Sequence, residues 1–285
     1  MFGVMNVRKQ SMFSISITLS RLILAALFSM ILLSGCGQNE TSEESSDKPV
    51  LLYSNYYNAE GENRYPADGN FSEIMKEFSK DFQVRVHADA LTAEVLSDVK
   101  VVFIANPNDK AVDGFSAPPH VSAADIKTLT LYVKNGGGII TSHNQANHNL
   151  ETVAMNRLLG SFGIRITDDF TGPKAIRIPE DTPVVGGLLW AYIIGDSIKI
   201  DSSHPASPHS IVTNDLSQKP LVGDDNAEGI LMAGAELGNG RVMVTTDSGW
   251  FLNAALNGEE AGGVVIESHD NREIARRLAR WVGGL

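Results

Sequence analysis

Residues 101–142 read VVFIANPNDKAVDGFSAPPHVSAADIKTLTLYVKNGGGIITS, and this stretch decides the fold. It opens and closes on two short runs, Val101–Ala105 and Gly138–Ser142, that lack the in–out alternation of a half-exposed strand. The first, wholly apolar, bears the mark of a strand buried on both faces, and the second reads as the next strand. Between them, Ser122 followed by Asp125 makes a capping-box start, and Ile126, Leu129 and Val133 recur at helical spacing. Asn135-Gly136 then stops the helix, because both residues tolerate the left-handed backbone of a helix end. Strand, crossover helix and strand make a βαβ unit, which pairs its strands in parallel.

The alternation continues outward. Val50–Ser54 is a short apolar run, and Asn70 with Glu73 resembles a second capping box ahead of Phe71, Ile74, Met75 and Phe78. Phe82–His87 alternates like a strand, and Leu91–Val99 reads as a weaker helix. On the other side, a helix over Leu150–Leu159 ends at Gly160 or Gly163, before a strand at Ile164–Thr167. Residues 170–227 are less regular, with short strand candidates Ser197–Ile200 and Ser210–Thr213 among Pro- and Gly-rich turns. Gly229–Leu237 and Arg241–Thr246 flank Gly238-Asn239-Gly240 as a hairpin, and Asp270 with Glu273 opens a last helix carrying Ile274, Leu278 and Trp281. The expected architecture is α/β: a parallel sheet flanked by helices, with a β-rich excursion in the second half, as one domain over 49–285.

The first fifty residues stand apart. Residues 1–35 contain no Asp or Glu, and Arg8, Lys9 and Arg21 precede the apolar run Leu22–Leu33. That run has signal-peptide length and falls short of the ~20 residues of a comfortable membrane span. It ends in Leu33-Ser34-Gly35-Cys36, which resembles the lipobox of bacterial lipoproteins. The resemblance implies cleavage before Cys36 and a diacylglycerol on its sulfur; the alternative is an uncleaved anchor. Residues 37–48, GQNETSEESSDK, read as an acidic flexible tether. The expected organisation is therefore a leader (1–35), a lipidated cysteine with its tether (36–48), and a folded domain on the outer side of the cell membrane.

Charge and cysteine usage exclude several functions. The net charge of −11 becomes −14 once the three cations of the leader are removed. Such a chain does not bind nucleic acid through phosphate neutralisation, and an acidic glycan would need a local basic pocket. One cysteine forbids a disulfide framework and a multi-cysteine zinc site.

Ligands of open α/β sheets bind beyond the carboxyl ends of the strands. After the first strand come Asn55-Tyr56-Tyr57-Asn58-Ala59-Glu60, then Asn63 and Arg64; after the third, Asn106-Pro107-Asn108-Asp109. After the fourth come His143 to Asn149, and after the last Asp247, Trp250 and Asn253. Amides, carboxylates and aromatic faces suit sugar hydroxyls and C–H faces. Taken singly, the same Asn and Asp residues are ordinary loop formers and caps. Lipidation of Cys36 would remove the cysteine nucleophile, and there is no G-x-S-x-G elbow. Gly195-Asp196-Ser197 is similar to an esterase nucleophile block but sits mid-chain in an irregular region. Glu60, Glu151 and Asp247 could supply paired carboxylates for general acid/base work on a glycosidic bond. His143, His148 and Asp247 lack a fixed metal geometry, so no metal and no cofactor is assigned. Gly136-Gly137-Gly138 precedes a strand, so it is a helix stop and not a phosphate loop.

These residues carry a wider resemblance. Asn55–Glu60, Asn106-Pro107, Tyr132–Gly138, Asn144, Asn149-Leu150-Glu151, Asn156–Leu159 with Phe162-Gly163-Ile164, Gly238–Val242 and Asp247–Asn253 occur in the order found in class I glutamine-amidotransferase-like domains of unknown function. More narrowly, the chain resembles the YteS-type lipoproteins that accompany unsaturated rhamnogalacturonyl hydrolases. The resemblance implies a flavodoxin-like sheet and a role in breaking down rhamnogalacturonan-type pectin, without a known reaction. Amidotransferases place a cysteine on the turn after a central strand; here that stretch is Thr141-Ser142-His143-Asn144, so the chain is not a cysteine-dependent amidotransferase. Relatives read Gly-Asp-Pro-Trp with Tyr-Asn-Glu following, whereas this chain has Thr246–Trp250 and then Phe251–Ala254, lacking the acid after the Asn.

The expectation is a lipid-anchored protein that binds pectin-derived oligosaccharide at Asn55, Asn58, Glu60, Asn144, Glu151, Asp247 and Trp250. Glu60 and Asp247 would hold hydroxyls, Trp250 would stack on a sugar face, and Arg64 or His143 would offset a uronate. Two alternatives stay open: a glycan hydrolase or esterase using Glu60 or Asp247 as acid/base, and a non-catalytic subunit docking a transporter or a surface hydrolase.

Overall fold

The computed structural model describes residues 48–145 and 148–285, so the leader, Cys36 and nearly all of the tether lie outside the described residues. Five strands form the parallel half of a sheet in the order β2-β1-β3-β4-β11. They are β1 (Val50–Ser54), β2 (Gln83–His87), β3 (Val99–Ala105), β4 (Gly138–Ser142) and β11 (Gly240–Thr245), every neighbouring pair being parallel. This is the flavodoxin-like order, whose direction reverses at the β1/β3 boundary.

The sheet does not stay parallel. Beyond β11 it continues through β10 (Ile230–Leu237), β8 (Ile198–Ile200) and β5 (Ile164–Ile166), with β9 (His209–Thr213) also on β10, all antiparallel. Among the described residues the sheet thus has nine strands, mixed in direction. The excursion contributes a separate two-stranded ribbon, β6 (Lys174–Arg177) with β7 (Leu189–Tyr192), that the sequence pattern did not suggest.

Side chains sort onto the two faces with the period of two that a pleated strand imposes. From β3, Val101, Phe103 and Ala105 face one core while Val102 and Ile104 face the other. The first core is closed by α1 (Ser72–Phe78) and α5 (Asn271–Gly283), through Ile74, Phe78, Ile274, Leu278 and Val282. The second is closed by α2 (Ala123–Lys134) and α3 (Val153–Gly160), through Leu129, Val133, Met155 and Leu158. Phe103 centres an aromatic cluster, with ring centroids of Tyr53 at 5.3 Å, Phe251 at 5.2 Å and Phe78 at 5.9 Å. Among the described residues no helix is long and apolar enough to cross a membrane.

Three local expectations need correction. Leu91–Val99 forms hydrogen-bonded turns rather than a helix. Asp270 does not cap α5; its carboxylate accepts the Leu189 N–H at 2.8 Å and ties the helix start to β7. Asn70 does not cap α1 either. The Glu73 N–H is taken at 2.9 Å by the Asn253 side chain, whose amide also donates to Gly69 O and Ser72 Oγ. The helix is capped from a segment distant in sequence, at the start of the short helix α4 (Asn253–Leu256). The Ser122–Asp125 capping box is formed as expected.

Within the excursion, Lys174 is wholly buried; its ammonium pairs with Asp225 at 2.5 Å and donates to Asn214 Oδ1 at 2.7 Å. That network straps the 214–227 segment to β6, and it works because a buried charge is tolerated only when paired and hydrogen-bonded.

The reassigned cap is testable by denaturant unfolding. Asn253→Ala should cost about 1–2 kcal/mol, the usual range for a lost cap. Asn70→Ala should stay within about 0.5 kcal/mol, as an exposed substitution does. The reverse order would restore the local capping box.

Candidate functional site

The loops leaving β1, β3, β4 and β11 do meet, and most of their polar side chains are used up in meeting. Asn58 Nδ2 donates to Ala105 O at 2.9 Å and to Asn106 O at 3.3 Å, bridging the ends of β1 and β3. Asn108 Oδ1 accepts the Ala59 N–H at 2.6 Å, and the Asn108 N–H returns to Tyr57 O at 2.9 Å. The His143 N–H reaches Thr245 O at 3.0 Å, and Ser248 Oγ donates to Ser142 Oγ at 2.8 Å, joining β4 to β11.

Several expected ligand residues therefore lie beneath the surface. Glu151 is buried, and its two oxygens accept the Ala154 and Met155 N–H groups at 2.8 and 3.0 Å, serving as the anion at the start of α3. Asn144 is buried and donates to the Tyr65 hydroxyl at 3.3 Å. His143 is wholly buried, with Nε2 at 2.6 Å from Thr141 Oγ1. Burial pushes its pKa down to about 3, so the ring is neutral and cannot offset a uronate. Trp250 is wholly buried, edge-on to Trp190 at 5.7 Å, and offers no face to a sugar. Arg64 is half-buried and forked onto Glu62, with Nε 2.9 Å from both carboxylate oxygens. Its positive charge is already engaged.

Asp247 is wholly buried, and its carboxylate accepts the N–H groups of Ile193 (at 2.6 Å) and Gly249. Desolvation opposes these hydrogen bonds and prevails, raising its pKa to about 7. The residue holds the excursion against the end of β11.

Three expected residues remain accessible together. Asn55, Asn58 and Glu60 line a cleft of about 480 Å³ outside the end of β1, with Tyr56, Glu62, Tyr65, Pro66, Ala88 and Pro119. Asn55 and Asn58 are half-buried and Glu60 is exposed. The cleft adjoins the β1/β3 boundary, where open α/β sheets bind ligands. Among its lining residues, Asn58 keeps a buried Oδ1 without a partner; beneath it at the end of β3, Asn106 leaves both polar side-chain atoms unpartnered. Asn106 is also held at a φ of 37°, left-handed backbone that a non-glycine residue adopts at some cost. Sequence reasoning named Tyr56 in the strand-end stretch without choosing it as a ligand residue, and it missed Glu62 and Tyr65, whose only signal was membership of the same loop.

No family model matches the chain, and no curated protein matches it. Among solved structures, the mmIFT52 N-terminal domain superposes with a TM-score of 0.60 at 16% identity, covering 82% of this chain and 97% of that domain. A ThuA-like protein from Bacteroides uniformis superposes with a TM-score of 0.51 at 16% identity, covering 83% and 93% of the two chains. Identities of this size bear on fold alone, and the fold is α/β and flavodoxin-like.

Asp247 gives a pH test with a definite sign. Between about pH 4 and pH 7 the unfolded chain loses this proton while the folded chain keeps it. Stability therefore falls as pH rises through that window, by up to about 4 kcal/mol for a shift of this size, and is flat for this group above it. The difference in unfolding free energy between the wild type and Asp247→Asn should narrow or invert across the window. A difference constant from pH 4 to pH 7 would show that the carboxyl is ionised in the fold.

Proposed function

We propose that the chain is a lipid-anchored protein of the outer face of the cell membrane that binds oligosaccharides from rhamnogalacturonan-type pectin in the cleft beyond β1. The observation that carries the binding reading is the composition of that cleft: amides, a free carboxylate and tyrosines at the position where the fold places ligands. The anchor rests on Leu33–Cys36 and its flanks, and the glycan on the resemblance to YteS-type lipoproteins.

Binding is better supported than acid/base catalysis. Asp247, one member of the expected carboxylate pair, is engaged with backbone N–H groups and is not among the cleft residues. Glu60 alone has no carboxylate partner of that pair in the cleft other than Glu62, and Glu62 is committed to Arg64. The role left to Glu60 is to accept hydroxyl hydrogen bonds, which a carboxylate does more strongly than an amide.

Titration calorimetry with an unsaturated rhamnogalacturonan disaccharide tests this reading. The wild type should bind, and Glu60→Gln should weaken binding by about tenfold, the worth of one charge-assisted hydrogen bond. Glu60 is exposed, so folding is undisturbed. No binding by the wild type would refute the glycan assignment, and a new product that disappears in Glu60→Gln would make the protein an enzyme instead. Independently, Cys36→Ser should move the protein from the membrane to the soluble fraction of expressing cells.

A further inference from the structure

The cleft has polar groups for hydroxyls, and the aromatic expected to meet a sugar face, Trp250, is buried elsewhere. Tyr56 and Tyr65 line the cleft, and a further aromatic, Phe115, stands outside its lining in contact with the cleft residue Gly61. Phe115 is 47% exposed, and among the described residues it is the one aromatic in the set of exposed large apolar side chains. Water contact on half a phenyl ring forfeits apolar burial of roughly 25 cal/mol per Å², so its position asks for an explanation.

The ring is held by a specific contact. It lies on Gly61, a cleft residue, so closely that a Cβ on Gly61 would come within 2.5 Å of Phe115 Cε2 and 2.7 Å of Cδ2. Gly61 also has a φ of 81°, in the left-handed region where glycine carries no steric penalty. One side of the phenyl ring thus packs on bare backbone at the cleft wall while the rest stays open. Phe115 is carried by the irregular segment between Asn106 and Ser122, whose Pro119 also lines the cleft. Irregular connections longer than about 12–15 residues in compact domains are usually functional loops.

We propose that Phe115 extends the cleft beyond Gly61 with an exposed aromatic face, against which the C–H face of a pyranose ring packs while Asn55, Asn58 and Glu60 take its hydroxyls. This rests on the reading of the cleft as a carbohydrate site and specifies it: the ligand presents a flat apolar face to one side and hydroxyls to the other. The ring acts by its shape and its π face, so an aliphatic residue of similar bulk does not replace it.

Calorimetry with the same unsaturated rhamnogalacturonan disaccharide, supplemented by saturation-transfer NMR on its ring protons, separates the two claims. Phe115→Ala and Phe115→Leu should each raise Kd by about tenfold, whereas Phe115→Trp should stay within about twofold of the wild type. Saturation transfer to the sugar C–H protons should drop in the Ala and Leu variants and persist in the Trp variant. Thermal unfolding of all three should match the wild type within a few degrees, because the ring is half exposed. Wild-type binding that is unchanged in Phe115→Ala overturns the aromatic extension and leaves the carbohydrate cleft standing. Equal affinity of the Leu and Trp variants overturns it too, since bulk alone would then suffice. Absence of binding by the wild type overturns both.

Discussion

The rest of the structure depends on one constraint: β1, β3, β4 and β11 are covered on both faces, so every backbone polar group leaving them must find a partner near the sheet edge. Buried N–H and C=O groups left unpaired cost about 1–3 kcal/mol each. The chain meets this requirement with side chains at the strand ends. Asn58 serves the carbonyls of Ala105 and Asn106, Asn108 serves the amide of Ala59, Glu151 the first amides of α3, and Asp247 those of Ile193 and Gly249. A polar residue in this layer is therefore first a structural residue, and only what is left over can meet a ligand.

That division explains how the edge is partitioned. The β11 corner is closed because the β6–β7 ribbon folds over it, bringing Trp190 against Trp250 and the Ile193 N–H against Asp247. The β1 corner is open because the segments around it are irregular and short of apolar cover. Glu60 is exposed there, and Asn55, Tyr56 and Asn58 are half-buried. The same fold edge thus has a sealed half and a receptive half, divided by where the excursion lands.

The parts legible in the sequence were those governed by local pattern. β1 and β4 have the expected boundaries because their apolar runs end at polar or glycine-rich neighbours, and the α2 capping box is a contact three residues long. What stayed hidden depends on partners far along the chain. Lys174 opens a strand because Asp225 neutralises it, and Asn253 caps a helix that begins at Ser72. Trp250 read as a sugar platform because Trp190, its buried neighbour, lies in the segment with the least periodic sequence. Residue types at the strand ends were identified correctly as a polar cluster; which of them face solvent was decided by these distant contacts.

Electrostatics then restrict how an acidic glycan could use the receptive half. The cleft contains Glu60 and Glu62 and no lysine, Arg64 is forked onto Glu62, and His143 is buried and neutral. A chain already at −11 adds a repulsive background. A uronate entering this cleft would meet the like charge of Glu60 with no free cation among the lining residues to offset it, a modest penalty because Glu60 is exposed to water and salt. A neutral pyranose meets no such opposition, gains the carboxylate of Glu60 as an acceptor, and can lay its C–H face on Phe115. For a glycan that alternates uronate with a neutral sugar, bound as proposed, these charges would favour the neutral residue inside the cleft and the uronate at its mouth, in water.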